Sequence, residues 1–505
     1  MGNFSHDFLR EASGGVWIGG QTPDNAVGGF SIDTRSLCAD DCFVALQTEK
    51  RDGHDFLAAA VAKGAAAALV ARPVADAALP QLLVGDTAVA LRKIAAAHRR
   101  RLSAPVFVPV LGVTGSAGKT SVKDLLAAML GGEAGGALAT AGNLNNTLGA
   151  PLTLLRADVA QHTAGVVVEC GMSEPGEMEI IAAALRPDIA LVTNVLPVHL
   201  AGVGGLDGVA REKSVLARCL REGGAAVFPA ELLRFGAFRE LAAAWRGQTG
   251  ASARRIFTLT FDGETGGETG GEIDAETDAR NGAADALPSA LRAVFAEMPD
   301  GGFRVEFVRE NGGAKFPAES LPPDFFMPAC TEGMLRNAAL ASLAATLAGA
   351  SPAAIRAAAA QWRPSPGRGE IRLDGGRLFY ADCYNANPAS LLDAARHFDR
   401  LTARQKLFPR LFVLGGMNEL GAESAALHRQ TGRGLPLRDG DTLALFGGDS
   451  ALLGEGAVAA GFSRDAVFCA GDIEALEAHV GACSAGAVFV KGSRSYALER
   501  VLPRC

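Results

Sequence analysis

From residue 105 onward the chain repeats one pattern, a short run of β-branched residues followed by an Ala/Leu-rich stretch with helical spacing. VFVPVLGVTG leads into a helix from Lys119, VVVEC into EMEIIAAAL, and IALVTNV into a helix that runs through Lys213. Strands separated by helices pair in the same direction, because each helix returns the chain across the sheet. The expected product is a mostly parallel sheet with helices on its faces. Ligands of such sheets gather beyond the carboxyl ends of the strands, where Gly115, Glu169 and Asn194 fall.

With 505 residues the chain is too long for one hydrophobic core, so several domains are expected. A second alternating block starts near Arg363: RLFYADCY, LFPRLFVLGGM, TLALFGG, AVFCAGD and AVFVKGS, with helical stretches between them. The Pro/Gly-rich RPSPGRGE (residues 363–370) separates the two blocks and suits a hinge. Ahead of residue 105, FSIDTRS and DCFVALQ read as strands among Ala-rich helices. The expectation is α/β in three domains: a small N-terminal α/β domain (1–104), a central P-loop parallel-sheet ATPase domain (105–362) and a C-terminal Rossmann-like α/β domain (363–505). The acidic, glycine-rich repeat GETGGETGGEIDAET has nothing to bury, so a low-complexity insertion is expected over about 262–320.

A formal net charge of -7 supplies no basic footprint for a nucleic-acid backbone, so no nucleic-acid partner is expected. The start MGNFSHDFLREASGG lacks the basic-then-apolar order of a secretory signal, and Ala-rich runs such as residues 58–70 are broken by Lys63 and Gly64. A cytoplasmic chain without membrane insertion is expected, and a monomer, because Ala-rich helical faces ordinarily pack into cores. The nine cysteines form no Cys-x-x-Cys pair and read as reduced thiols.

The sharpest chemical signal is VLGVTGSAGKTSVKDLLAAML, with strand, glycine turn, Lys-Thr and helix in the order a phosphate-binding loop needs. Gly115 and Gly118 let backbone N–H groups approach phosphate oxygens, together with Ser116, Ala117 and Ser121 of the same turn. Lys119 neutralises charge, and the Thr120 hydroxyl can ligate magnesium. Val113 stands where the longer form of the motif has its first glycine, leaving T-G-x-x-G-K-T. Glu169 ends an apolar strand and is a candidate for a hard cation; His199 follows the next strand, and imidazole can also ligate a metal.

The order of these segments resembles the Mur ligase family of peptidoglycan synthesis. The matching stretches are TGSAGKTS (114–121), TAGNLNNTLGAPLTLL (140–155), VECGMSEPGEM (168–178), TNVLPVHLAGVG (193–204) and VAREKSVL (209–216). NAALASLAA (337–345), PGRGEI (366–371), DCYNANPAS (382–390), GGMNELG (415–421) and KGSR (491–494) continue the match nearly to the end. TAGNLNN, D-x-Y-N-A-N-P and the stretch SIDTRSLCADDCFVALQTEKRDGHDF resemble the branch that adds D-alanyl-D-alanine to a UDP-N-acetylmuramoyl-tripeptide, and no Asp-Asn-Pro-Arg motif of the branch adding the third residue is present.

The resemblance implies an ATP-dependent ligase that activates a carboxylate as an acyl phosphate, with ATP and two magnesium ions. It places Thr120 and Glu169 on magnesium, and His199 with a carbamylated Lys213 on the second ion and the reacting carboxylate. It assigns Asn337, Arg368 and Asp382 to adenine, phosphate and ribose, with Asn385 and Asn387 lining the same cleft. Substrate contacts fall on Ser31, Asp33, Thr34 and Arg35 in the uridine-binding domain and on Asn145, Asn146 and Asn387. The catalytic set is Lys119, Glu169, His199, Lys213 and Arg368. Two alternatives stay open: a related ligase for another acid, such as a folylpolyglutamate or a different muropeptide, and a nucleotide-binding scaffold without catalysis. The intact Lys119, Glu169, His199 and Lys213 speak against the second.

Overall fold

The computed structural model describes residues 4–18, 22, 26–103, 107–197, 200–246, 248–261, 289–309 and 317–503. Three sheets of mixed α/β architecture follow one another along the chain, with five, nine and six strands. The nine-stranded central sheet forms the broadest layer. Seven of its strands run parallel, from Ala137–Ala139 at one edge to Ser289–Glu297, and Phe303–Arg309 and Phe325–Met327 then add on antiparallel. Strands Val110–Thr114, Gly165–Glu169 and Ile189–Val192 lie side by side in its middle and every residue in them is buried, as expected of strands covered on both faces. Their registers pair Val113 with Glu169 and Thr114 with Val192, which brings three carboxyl ends to one place.

The low-complexity stretch expected to reach about residue 320 is too long at its far end. Ser289–Glu297 and Phe303–Arg309 form a hairpin of the central sheet, paired over seven residues from Leu291↔Arg309 to Glu297↔Phe303. SALRAVFAE and FRVEFVR alternate apolar and polar residues in the way of a half-buried strand, and Leu291, Ala293, Val305 and Phe307 are the buried set. The Glu/Gly repeat itself lies outside the described residues.

The five-stranded N-terminal sheet is parallel except for Val16–Ile18, and the six-stranded C-terminal sheet is parallel except for Glu370–Asp374. The N-terminal domain shares its core with the central one: Phe4, Leu69, Leu91 and Ile94 belong to the same apolar cluster as Val166, Met178, Leu216 and Phe228. Helix Thr87–Arg101 sits at this seam. Arg99 bonds the Leu185 carbonyl at 2.9 Å and pairs with Asp188 at 2.7 Å, while His98 Nε2 bonds the Ala157 carbonyl at 2.8 Å. The C-terminal domain instead closes two clusters of its own, drawn only from residues 378–502. No helix among the described residues is long and apolar enough to cross a membrane.

Candidate active site between the central and C-terminal domains

Helix Lys119–Met129 begins directly after the glycine turn, and no side chain caps it. Its first N–H groups and the positive end of its dipole therefore face the cleft, which is how a helix offers itself to an anion. The turn is built for close approach. Gly115 has φ +152° and a Cβ there would collide with Thr193 Oγ1; Gly118 has φ +79° and a Cβ there would collide with the Asn337 carboxamide. A latch from the neighbouring strand end fixes the rest. Asn194 Oδ1 accepts the Ala117 N–H at 2.9 Å, Thr193 Oγ1 donates to the Ala117 carbonyl at 2.6 Å, and Ser116 Oγ donates to the Leu196 carbonyl at 3.1 Å.

Lys119 Nζ folds back on the Gly115 carbonyl at 2.7 Å. Burial pushes this amine below its ordinary range; the carboxylates of Glu169 and Glu419 counter that and Arg368 adds to it. Glu169 is 2 % exposed. Its Oε1 accepts from Asn145 Nδ2 at 2.8 Å and its backbone N–H bonds Thr140 Oγ1 at 2.9 Å, but Oε2 is buried without a hydrogen-bond partner among the described residues. An ionised oxygen buried with no donor costs free energy unless a cation completes it. Magnesium fits: it takes one or two protein oxygens and draws its other ligands from phosphate and water. No cluster of three or more His, Cys, Asp or Glu side chains among the described residues offers a closed protein cage.

The C-terminal domain closes the other wall of a cleft of about 1200 Å³ whose lining includes Lys119, Thr120, Asn145, Glu169, Asn337, Arg368, Asp382, Asn385 and Asn387. Arg368 Nη2 donates to Thr120 Oγ1 at 3.0 Å across the interface, and its guanidinium stacks on Tyr384 at 3.8 Å. Beside it Ser365 Oγ donates to Asp124 Oδ2 at 3.1 Å. Asp382 ends strand Arg377–Asp382, opposite Lys491 in the neighbouring strand. Lys491, 2 % exposed, donates to Asp382 Oδ2 at 2.6 Å and to the Asn385 carbonyl at 3.1 Å.

Lys213 lies on helix Gly205–Arg218 and is 2 % exposed. Burial holds its amine well below the ordinary lysine range, and the nearby charge of Lys119 adds to that. His199 lies outside the described residues. Asn146 does not line the cleft: its Oδ1 accepts the Leu148 and Gly149 N–H groups at 3.1 and 2.9 Å, which starts the next helix. Asn387 lines the cleft yet spends its Oδ1 on the Ser390 N–H at 2.9 Å, as the N-cap of helix Pro388–Gln405. Ser31, Asp33, Thr34 and Arg35 sit in the N-terminal domain, away from this cleft. There Arg35 grips Asp33 at 2.6 Å and holds its carboxyl down to about 2, while Ser31 Oγ bonds the Asp33 carbonyl at 2.9 Å.

Three Mur ligase family models match consecutive parts of the chain: the family's catalytic domain model at 27–101, the middle domain model at 113–253 and the glutamate ligase domain model at 367–494. The chain is 32% identical over 483 residues to the UDP-N-acetylmuramoyl-tripeptide--D-alanyl-D-alanine ligase of Escherichia coli K12, covering 95% of this chain and 94% of that one. The chain belongs to the Mur ligase family. The Haemophilus influenzae ligase of the same name is 28% identical over 94% of this chain and 92% of its own. A crystal structure of MurF from Acinetobacter baumannii superposes with a TM-score of 0.77 at 27% identity, over 99% of this chain and 98% of that one.

Set in the family's three-part order, the phosphate loop, Glu169 and Lys213 fall in the middle match, Arg368, Asp382 and Lys491 in the last, and Ser31 to Arg35 in the first. Thr140, Thr193 and Lys491 are the contributors that motif reading left without a role. Each stood inside a quoted matching stretch, but their work is to hold other groups, and holding has no residue signature.

Proposed function

We propose that this chain joins the amine of D-alanyl-D-alanine to the terminal carboxylate of a UDP-N-acetylmuramoyl-tripeptide, at the expense of ATP, in the cytoplasmic synthesis of peptidoglycan precursor. The choice of substrates rests on the relatives matched end to end. The reaction type rests on one observation: an uncapped phosphate-loop helix with Lys119 stands beside a buried carboxylate oxygen, Glu169 Oε2, that has no hydrogen-bond partner among the described residues, in a cleft that two domains close. A related ligase for a folate or another muropeptide would share the cleft but not the relatives' named substrates.

The tripeptide carboxylate attacks the γ-phosphorus of ATP, giving an acyl phosphate and ADP. Lys119 and the loop N–H groups spread the charge on the transferring oxygens, and Arg368 brings a second cation from the C-terminal side. Thr120 and Glu169 would hold magnesium, which supplies further neutralisation of phosphate charge. The amine of the dipeptide then attacks the acyl carbon, and collapse of the tetrahedral adduct expels inorganic phosphate as the amine loses its proton. Closure of the domains excludes the water that would hydrolyse the acyl phosphate. Residues 363–370, which bring Ser365 and Arg368 to the phosphate-loop helix, are the hinge.

Lys213 carries a carbamate in the working enzyme. Burial makes this amine give up its proton more readily, and the free amine is the nucleophile that carbon dioxide needs; the R–NH–COO⁻ so formed, with release of a proton, puts oxygen ligands for a hard ion in place of an amine. By the family resemblance, His199 would join it in holding a second magnesium ion. A monomer suffices for this reading, because residues of one chain supply both described walls of the cleft.

A substrate-omission assay tests the reaction. Phosphate release that needs ATP, the UDP-linked tripeptide and D-alanyl-D-alanine together is expected; release with glutamate and a folate instead would overturn the assignment.

A further inference from the structure

The central and C-terminal domains meet at a second point, away from Arg368. Asp393 lies on helix Pro388–Gln405, on the face that lines the cleft. Its two oxygens each accept a backbone N–H from the first turn of a helix in the other domain, Glu332–Leu347: Glu332 N to Oδ1 at 3.1 Å and Gly333 N to Oδ2 at 2.9 Å. The next N–H, that of Met334, goes to the helix's own cap, Thr331 Oγ1, at 3.1 Å. The donors of this helix start are thus shared between a cap within the domain and a carboxylate from across the interface, where the helix dipole favours a negative charge.

The sequence makes room for this contact. A Cβ on residue 333 would stand 2.7 Å from Asp393 Oδ2, so glycine is what lets the carboxylate reach the backbone. The same C-terminal helix touches the central sheet again, where Arg404 Nη2 pairs with Glu297 Oε1 at 2.7 Å. Just over one turn beyond Gly333, the helix Glu332–Leu347 carries Asn337, whose carboxamide packs on Gly118 of the phosphate loop.

We propose that Asp393 is a positioning residue, a cross-domain cap that fastens the C-terminal domain to helix Glu332–Leu347 and so couples closure of the cleft to the placement of Asn337 against the phosphate loop. This rests on the reading of the cleft as the ATP site. Without the cap the closed arrangement is less populated, and the apparent affinity for ATP falls by that fraction.

The test uses the full chain with D393A, G333A and the double variant. Each single variant is expected to raise KM for ATP about tenfold, the scale of one or two lost charge-assisted hydrogen bonds, with the melting temperature and the KM for D-alanyl-D-alanine little changed. The two substitutions break one contact from opposite sides, so the double variant is expected to be no worse than the poorer single one. A KM for ATP within twofold of the parent in both single variants, or additive effects in the double, would overturn the proposal. X-ray scattering with magnesium and a non-hydrolysable ATP analogue reads closure without turnover. A larger radius of gyration in D393A and G333A than in the parent supports the cap, and equal radii overturn it. Should the parent release no phosphate with ATP, the nucleotide reading fails, and the scattering comparison still decides the cap.

Discussion

At Glu169 the structure divides one carboxylate between two tasks, with Oε1 held by Asn145 and Oε2 buried and unmatched among the described residues. Glu169→Gln keeps the size and removes the charge a hard cation needs. Ligation is expected to fall on the order of a hundred- to a thousandfold, with the required magnesium concentration shifted upward; turnover at parental magnesium dependence would remove Glu169 from the metal. Lys119 and Lys213 separate in the same way. Lys119→Ala removes the cation on the phosphates and is expected to weaken nucleotide binding and abolish ligation, whereas Lys213→Ala is expected to cost a similar factor in kcat with ATP binding nearly kept. Equal losses of binding in both, measured by titration with the ATP analogue, would contradict the separate roles. That Lys119, Thr120 and Glu169 meet at one cleft was legible because phosphate chemistry needs a residue type at a fixed distance from a strand end. Asn146 and Asn387 shared the signal, yet Asn146 Oδ1 takes the Leu148 and Gly149 N–H groups and Asn387 Oδ1 caps helix Pro388–Gln405, since an asparagine looks alike in sequence whether its amide meets a substrate or a backbone N–H.

At the scale of elements, the phosphate loop works because three strand ends and one helix from a distant part of the chain converge on it. The strand ends follow from the alternation of β-branched and Ala/Leu-rich segments. The approach of helix Glu332–Leu347 does not, because nothing local in NAALASLAA says that Asn337 will pack on Gly118. The hairpin Ser289–Glu297 and Phe303–Arg309 was likewise hidden, its alternation masked by the Glu/Gly repeat that precedes it. Gly118→Ala tests the convergence. An alanine at φ +79° costs about 1–2 kcal/mol of backbone strain and also drives a methyl into the Asn337 carboxamide. The first turn of helix Lys119–Met129 should shift, and KM for ATP should rise by about tenfold or more while the melting temperature drops only a few degrees. Parental KM in a folded Gly118→Ala variant would show that the loop tolerates the displacement and that Asn337 is no part of the site.

Across the whole molecule, the three domains are not equally independent. The N-terminal and central domains share one apolar cluster, and Arg99, buried at 3 % exposure, ties them through Asp188 and the Leu185 carbonyl. The C-terminal domain touches the central one through polar contacts, Arg368 to Thr120, Ser365 to Asp124, Asp393 to the helix start and Arg404 to Glu297, and among the described residues it shares no apolar cluster with the first two domains. Polar contacts exchange readily with water, whereas a shared apolar core must be exposed to be opened, so motion belongs to the C-terminal domain. Calorimetry of the nucleotide-free chain is expected to show two transitions, one for residues 1–362 together and one for the C-terminal domain. A chain that ends at residue 366 should stay folded and soluble without ligase activity, because the central core uses no residue beyond it. A chain that begins at residue 105 should aggregate, because it bares the face that Leu91, Ile94 and Leu102 cover. A soluble, cooperatively melting product from residue 105 onward would mean that the shared cluster is not what holds the first two domains together, and closure would then have to be sought at both interfaces.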